Sequence, residues 1–268
     1  MVVTSAINRR VPTRVGTLAM ADHGEGIPVV MWPSLFSDHR FFALVVEELG
    51  DGWRTIRVDG PGFGESDAPK GTEQAGDYAD ALMDLLDGLG LESAYFAGCS
   101  WGGQVSAQAG ARHPGRARGI LLMNTPLGPS LGGHAFQVIG TRLIGSTAFW
   151  GKGVAKSMFA PASASLHPER VQAFVDAITT FDRSAEATTV RTVMTRFPGL
   201  ADVLPHVPAP FRILMGEDDR LYPPDAMAPF AGLAAHAVIE VVPGCGHLAP
   251  LEAPEAVASA IRRLVGAG

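Results

Sequence analysis

The chain has 268 residues and a mass of 28.1 kDa, a length that one enlarged domain or two small domains can fill. Apolar residues make up 47% and charged residues 18%, so a large core can form and extensive disorder is excluded. The net charge of −6, without any block of basic residues, argues against a nucleic-acid partner.

Short apolar segments alternate with helical patterns along most of the chain. In chain order, strands are predicted at 11–14, 17–21, 28–32, 55–58, 94–97, 119–123, 212–215 and 238–242. Apolar residues spaced three and four apart predict helices near 42–49, 78–89, 102–113, 226–231 and 257–265. This alternation predicts an α/β fold, with a mostly parallel central sheet that is flanked by helices on both faces.

Residues 125–200 interrupt the alternation. They contain two helical patterns, near 171–178 and 190–197, with glycine- and serine-rich joints and no clear strand. We therefore predict a core formed by residues 1–124 and 201–268, and a helical cap insertion formed by residues 125–200, which we name the cap segment. The cap segment has seven basic and four acidic side chains, a net charge of +3, whereas the remainder carries −9.

Residues 98–102, with the sequence GCSWG, match the pattern G-x-S-x-G, in which a serine lies on a tight turn between a strand and a helix. The glycines let the two backbones approach closely, so that the hydroxyl is exposed at the carboxyl edge of the sheet. A second match surrounds Ser130, but it follows two prolines and no strand precedes it directly. We therefore predict that Ser100 is the nucleophile.

A nucleophilic serine needs a general base, and the base needs an acidic group that orients it. Three neighbouring acids, residues 217–219, follow the strand predicted at 212–215, and His247 follows the strand predicted at 238–242. Because serine, acid and histidine each come just after a strand, they can meet at the carboxyl edge of one sheet. The pattern therefore predicts a serine–acid–histidine triad, in that order along the chain.

These features make the chain resemble the α/β-hydrolase superfamily, in its cap-bearing branch of esterases, lactonases and carbon–carbon hydrolases. The resemblance covers nearly the whole chain and includes DGPGFGES at 59–66, GEDDR at 216–220, and PGCGH at 243–247. The family's G-x-x-D spacing implies that Asp219 is the acid, with Asp218 as the alternative, and that His247 is the base. Some relatives carry the acid after the preceding strand, where this chain has Asn124, which cannot serve as an acid.

The resemblance also implies where the oxyanion hole lies. Relatives usually carry His-Gly after the third strand, and this chain has Pro33-Ser34 instead. The backbone N–H groups of Leu35 and Trp101 are then the expected donors. The Ser34 hydroxyl is a further candidate donor.

Candidate pocket residues are taken from the loops beside the expected site and from the aromatic residues of the cap segment. They are Ser34, Phe63, Phe136, Trp150 and Phe159. The remaining histidines show no spacing typical of metal ligands, so we expect no metal. A G-x-G-x-x-A match at 244–249 has no following strand–helix–strand unit and no room for one, and we expect no cofactor.

The composition also bears on the compartment. Two cysteines cannot form a disulfide framework, and we expect buried free thiols at Cys99 and Cys245, with a redox switch as the alternative. No apolar run approaches the roughly 18 residues of a membrane span. The arginines near the N-terminus are not followed by the apolar stretch of a signal peptide. The expectation is a cytoplasmic protein without a membrane span.

The leading hypothesis is a cofactor-free serine hydrolase that cleaves a small to medium, largely apolar carboxylic ester or lactone through an acyl-enzyme on Ser100. A serine at the elbow argues against the dehalogenases and epoxide hydrolases, which resemble this family but use aspartate there. Alternatives are a carbon–carbon hydrolase of a vinylogous diketone or dienoate, with Arg40, Arg142 or Arg191 binding the carboxylate, an acyltransferase, and a ligand-binding receptor. The expected partner is a small-molecule ester or lactone, and a homo-oligomer remains open.

Overall fold

The computed structural model describes residues 6–128, 134–233 and 237–266. The second G-x-S-x-G match, at Ser130, lies outside these ranges. Within them, no helix combines the length and the apolar character that crossing a bilayer requires.

The described residues form one sheet of eight strands. These are β1 (Arg9–Thr13), β2 (Gly16–His23), β3 (Ile27–Trp32), β4 (Trp53–Val58), β5 (Ala94–Cys99), β6 (Ala117–Met123), β7 (Phe211–Gly216) and β8 (Val238–Val242). Across the sheet the order is β1-β2-β4-β3-β5-β6-β7-β8, with β1 and β2 antiparallel to their neighbours and the other pairs parallel. Every predicted strand is present, and the α/β class is confirmed.

Eleven α-helices accompany the sheet in the described ranges. They are α1 (Ala43–Leu49), α2 (Ala75–Gly88), α3 (Trp101–Arg112), α4 (His134–Ile144), α5 (Ala148–Met158), α6 (Pro161–Leu166), α7 (Pro168–Thr179), α8 (Arg183–Arg196), α9 (Pro224–Ala231), α10 (Ala249–Glu252) and α11 (Pro254–Val265). In the layers beside the sheet, α1 packs with α11 and α2 packs with α3. The helices predicted outside the cap segment all correspond to members of this set.

The centre of the sheet explains the continuous apolar runs in the sequence. All six residues of β5 are buried, because this strand has parallel neighbours on both sides and helices over its faces. The strand order reverses between β3 and β5, so the loops that follow them diverge and leave a crevice at the carboxyl edge. The fold therefore places the segments after β3 and β5 side by side at the usual position of a ligand site.

The cap segment lies between β6 and β7 and contains five helices in its described part, α4 to α8. The sequence predicted only α7 and α8, whose starts are marked by Pro168 at the first helical position and by Asp182, which accepts the N–H of Ala185. The helices α4, α5 and α6 were expected to be joints. They are held by tertiary packing, of α4 on α8 and of α5 on α7, which local periodicity does not report.

One buried carboxyl group links two parts of the cap segment. Glu186, in the first turn of α8, is fully buried, and its Oε2 accepts the hydroxyl hydrogen of Ser146 at 2.7 Å. Its Oε1 has no hydrogen-bond partner among the described residues. Burial raises the pKa of Glu186 to about 7, although the hydrogen bonds from Ser146 act in the opposite direction.

We expect this carboxyl group to make the fold less stable as the pH rises. The pKa of an unperturbed glutamate is 4.5. Between pH 4.5 and about 7, Glu186 therefore keeps its proton in the folded chain but has lost it in the unfolded chain. The free energy of unfolding therefore falls through this interval, by about 3 kcal/mol in total, and is constant above it as far as this group is concerned. Glu186→Gln cannot ionise, so it should melt about 5 °C above the wild type at pH 8 and much closer to it at pH 5.

Thermal unfolding followed by circular dichroism at both pH values measures this difference. Glu169→Gln, at an exposed position in α7, is the control and should follow the wild type. If the melting temperatures of Glu186→Gln and the wild type differ by the same amount at pH 5 and pH 8, the raised pKa of Glu186 is contradicted.

Candidate active site

Ser100 lies between β5 and α3 with φ of +53° and ψ of −113°, a conformation that residues other than glycine rarely adopt. A Cβ added at Gly98 would lie 2.1 Å from the carbonyl oxygen of Gly102, and one added at Gly102 would lie 2.1 Å from that of Trp32. Both positions therefore need glycine so that the strand, the helix and the end of β3 can pack closely. Residues 98–102 form the strand–turn–helix that their pattern predicts.

His247 and Asp219 meet in the interior at the carboxyl edge of the sheet. Nδ1 of His247 lies 2.8 Å from Oδ2 of Asp219, and both side chains are almost completely buried. Asp218, the alternative acid, is exposed, and so is Glu217, whose carboxylate accepts the N–H of Gly244. Of the three neighbouring acids, the structure brings Asp219 to the histidine.

Further donors fix the carboxylate of Asp219. Its Oδ1 accepts the backbone N–H groups of Leu221 at 2.9 Å and Tyr222 at 3.1 Å, and its Oδ2 accepts the Asn124 amide at 3.0 Å. Burial alone would raise the pKa of Asp219, but the charge of His247 and these hydrogen bonds hold it below the usual value. The carboxylate is therefore ionised at neutral pH.

Asn124 is a site residue to which no role was assigned from the sequence, because the position was considered only as an alternative place for the acid. It follows β6 directly with φ of +47°, and its Nδ2 donates to Asp219 and to the carbonyl oxygen of Gly246, each at 3.0 Å. It therefore joins the loop after β7 to the loop after β8. Its place at the end of a central strand was the signal available in the sequence.

The loop that carries His247 is attached to the cap segment. The carboxylate of Glu252 accepts the backbone N–H groups on both sides of His247, each at 3.0 Å, and also that of Ala160 at 2.8 Å. The N–H of His247 itself donates to the carbonyl oxygen of Met158 at 2.7 Å. These contacts fix the histidine backbone against the end of α5.

The two cysteines lie beside the predicted serine and histidine. The Cys99 thiol lies 3.6 Å from the carbonyl oxygen of His247, so the histidine loop and the turn at Ser100 are neighbouring backbones. Cys99 and Cys245 are both free and buried, as expected, and burial raises the pKa of each thiol. The thiols are therefore protonated at neutral pH and have little nucleophilic character.

Leu35 and Trp101, the predicted oxyanion donors, line the same small cavity as Ser100. Trp101 is the first residue of α3, so its N–H has no acceptor within the helix. Leu35 is followed by Phe36 with φ of +64°, which turns the chain sharply after β3. Ser34 is buried, and its hydroxyl has no hydrogen-bond partner among the described residues. The structure thus brings both predicted donor residues to the cavity at Ser100.

The five predicted pocket residues do not line this cavity in the described part of the chain. Phe63 is buried against Trp101, with ring centroids 6.1 Å apart, and Trp150 and Phe159 pack within the hydrophobic core. Phe136 is 74% exposed on α4, contrary to the expectation of an enclosed position. Trp150 packs on Phe36 and Phe159 packs on Phe174, so these two rings fill space between elements of the fold.

Other residues enclose a space of about 30 Å³ with Ser100 and the two donor residues. They are Gln104, Pro126, Gly128, Val193, Met194, Phe197, Gly199 and Tyr222. The sequence had identified the apolar stripe at 190–197 as helical, but it did not indicate which face of that helix meets the core. The cavity is therefore narrow, with both polar and apolar groups in its lining and with part of its wall formed by α8 and the loop after it.

Asp38, His39 and Asp59 lie close enough together to raise the question of a metal site. Their polar atoms are engaged within the protein. The Asp38 carboxylate pairs with Arg40, and Asp59 accepts the backbone N–H groups of His39 and Glu65 and lies 2.7 Å from Nδ1 of His39. These bonds hold the loop before α1 against the loop after β4. The arrangement explains the cluster as a structural one.

Comparison with known proteins agrees with this architecture. The sequence model of the alpha/beta hydrolase family matches residues 23–260. A 2-(acetamidomethylene)succinate hydrolase of Mesorhizobium japonicum is 27% identical, over 97% of this chain and 96% of its own. Haloalkane dehalogenase 2 of Mycobacterium tuberculosis is 26% identical, over 92% of this chain and 90% of its own.

A solved structure is also similar over almost the full length. The thermophilic esterase of Thermogutta terrifontis superposes with a TM-score of 0.88 at 26% identity, covering 98% of this chain and 99% of the esterase. The chain belongs to the alpha/beta hydrolase family, and the predicted resemblance is confirmed. Membership of this family supports the conclusion that the protein is a hydrolase that acts on a small molecule.

Proposed function

We propose that the protein is a cofactor-free serine hydrolase that cleaves a small to medium, largely apolar carboxylic ester or lactone through an acyl-enzyme on Ser100. The observation that carries the proposal is the buried 2.8 Å hydrogen bond between His247 and Asp219, in a loop that contacts Cys99, the residue before a serine held at positive φ. Ser100, Asp219 and His247 are proposed as the catalytic triad. Residues 125–200 are proposed as a cap over the core that carries it.

The hydrogen bond to Asp219 determines which nitrogen of His247 acts as the base. An ionised carboxylate accepts the proton on Nδ1, which leaves the Nε2 lone pair free to take the proton from the Ser100 hydroxyl. The low pKa of Asp219 keeps that carboxylate negative, so it also stabilises the imidazolium that forms. This pairing supports the assignment of Asp219, and not Asp218, as the acid.

The reaction follows from these roles. The Ser100 oxygen attacks the carbonyl carbon while His247 takes its proton, and the resulting oxyanion accepts hydrogen bonds from the N–H groups of Leu35 and Trp101. Each such donor lowers the barrier by roughly 3–4 kcal/mol. His247 then protonates the departing alcohol oxygen, and a water molecule, deprotonated by His247, releases the acid and regenerates Ser100.

The substrate class is supported by the walls of the cavity and by one relative. Leu35, Val193 and Phe197 contribute apolar side chains to the wall beside Ser100, against which an apolar acyl or alcohol group can pack. The similar Thermogutta protein is an esterase. Because the space at Ser100 is only about 30 Å³, binding of a substrate requires side chains or the cap segment to move.

The carbon–carbon hydrolase alternative needs a cation that binds a substrate carboxylate. Arg142 and Arg191 are exposed, and Arg40 is paired with Asp38 at 2.5 Å. None of the three lines the cavity at Ser100. No observation in the described part of the chain therefore favours this alternative over ester or lactone hydrolysis, or favours an acyltransferase or a receptor.

Labelling with a fluorophosphonate tests the nucleophile. We expect one adduct per chain by intact mass, located on the peptide that contains Ser100, because the reagent phosphonylates an activated serine hydroxyl. Ser100→Ala should not be labelled, whereas Ser106→Ala, which removes another buried serine hydroxyl of the same region, should be labelled like the wild type. Equal labelling of the wild type and Ser100→Ala would overturn the proposal.

A substrate panel then tests the reaction class. We expect sustained turnover of short p-nitrophenyl esters or of lactones, and no turnover of dienoates. Turnover of dienoates alone would replace the proposal by carbon–carbon hydrolysis. Labelling of Ser100 without sustained turnover of any ester or lactone would instead indicate a receptor.

A further inference from the structure

Two neighbouring helices of the cap segment expose large apolar side chains. On α4 these are Phe136, Ile139 and Leu143, which share one side of the helix at spacings of three and four, and Leu143 is 68% exposed. On α5 the first turn presents Phe149, which is 79% exposed. The ring of Phe136 contacts Trp150, so the two helices pack together and their exposed sides form one surface.

The same surface carries positive charge and no negative charge of its own. Arg142 on α4 and Lys152 and Lys156 on α5 are exposed, and the two lysines follow Phe149 at three and seven residues, on the same side of α5. The sequence has no aspartate or glutamate from 125 to 168. Two of the three lysines of the whole chain are on this one helix, although the chain as a whole is acidic.

We propose that this surface, the α4–α5 face, docks onto an anionic phospholipid membrane. It is formed by Phe136, Ile139, Leu143 and Phe149 with Arg142, Lys152 and Lys156. Apolar side chains that enter the headgroup region, flanked by cations that attract anionic lipids, are the features that hold an amphipathic surface in a membrane interface. Four large apolar side chains exposed on one surface are costly in water and indicate a contact surface.

The charge pattern selects this occupant over a second copy of the chain. If two copies met through the α4–α5 face, their basic side chains would repel each other, because that face has no carboxylate to pair with them. An anionic lipid surface instead offers negative charge beside apolar acyl chains. The membrane therefore satisfies both the apolar and the basic parts of the face.

Co-sedimentation with lipid vesicles tests the proposal without relying on enzymatic activity. We expect the wild type to sediment with vesicles of mixed phosphatidylcholine and phosphatidylglycerol, to bind vesicles of phosphatidylcholine alone far more weakly, and to lose binding as salt is added. The double variant Leu143→Ser/Phe149→Ser should bind the mixed vesicles at least tenfold more weakly. Lys152→Gln/Lys156→Gln should reduce binding roughly twentyfold.

Matched controls separate docking from damage to the fold. Leu233→Ser removes an exposed leucine outside the cap segment, and Lys70→Gln neutralises the third lysine, so both should bind like the wild type. All variants should retain the circular dichroism spectrum and melting temperature of the wild type, because the changed side chains are exposed.

Three outcomes would overturn the proposal. One is the absence of sedimentation with mixed vesicles. If the wild type is then also a dimer that Leu143→Ser/Phe149→Ser dissociates, the α4–α5 face is an interface between two copies of the chain instead. Another is equal binding to both kinds of vesicle, since the anionic lipid would then have no role. The third is binding that the controls weaken as much as the variants of the α4–α5 face do.

Discussion

Alanine in place of Ser100 or His247 is expected to lower kcat on a p-nitrophenyl ester by about 10⁶-fold, with little change in KM. In the proposed mechanism, removing the serine removes the atom that forms the acyl-enzyme, and removing the histidine leaves the serine without a base. Because the two groups act in one step, the double variant should lose hardly more activity than either single variant. Steady-state kinetics of the three variants measures this lack of additivity.

Ser106→Ala is the control for these measurements, because its hydroxyl is buried one turn into α3, donates to the carbonyl oxygen of Gly102 and has no proposed chemical role. Its kcat should stay close to that of the wild type. If the losses of Ser100→Ala and His247→Ala instead add up in the double variant, the two residues do not act as a unit, and the proposed mechanism is wrong.

Asp219→Asn is expected to lower kcat by about 10⁴-fold at neutral pH. An asparagine amide in this place can donate to Nδ1 of His247, which favours the tautomer whose proton is on Nε2. In that tautomer Nε2 cannot accept the proton of Ser100, although the shape of the site is kept. The loss should therefore appear in kcat, while the melting temperature changes far less.

Asp218→Asn is the matched control, since it makes the same chemical change one residue earlier on an exposed side chain. We expect kcat within the error of the wild-type value. A large loss for Asp218→Asn together with full activity of Asp219→Asn would transfer the role of the acid to Asp218 and contradict the geometry described above.

Much of the core was predictable because its elements are encoded locally. The apolar run at 94–97 predicts a buried strand, and the glycines at 98 and 102 predict the tight turn that follows it. The structure has β5 and the turn at Ser100 at these positions, since close packing of β3, β5 and α3 leaves no space for a Cβ at either glycine. Local periodicity and backbone sterics are sufficient for such elements.

The cap segment was less predictable because its helices depend on contacts distant in sequence. The segment at 134–166 is rich in small residues and was expected to contain joints, yet it forms α4, α5 and α6. The aromatic residues of this region were expected at the pocket, but Phe136 is exposed and Trp150 packs on Phe36. A helical stripe predicts that a helix has an apolar side and does not predict which neighbour covers it.

The α/β class and the tight turn at Ser100 could be predicted from the sequence alone, because strands and tight turns depend on neighbouring residues. The order of serine, acid and histidine along the chain gave the proposed triad. The contact of Asp219, and not Asp218, with His247 and the bridge that Asn124 forms between their two loops became visible in the folded chain. The contacts of Asp219 and Asn124 depend on the turn after β7 and on the register of β6, β7 and β8 across the sheet. These features bring together residues that are far apart along the chain.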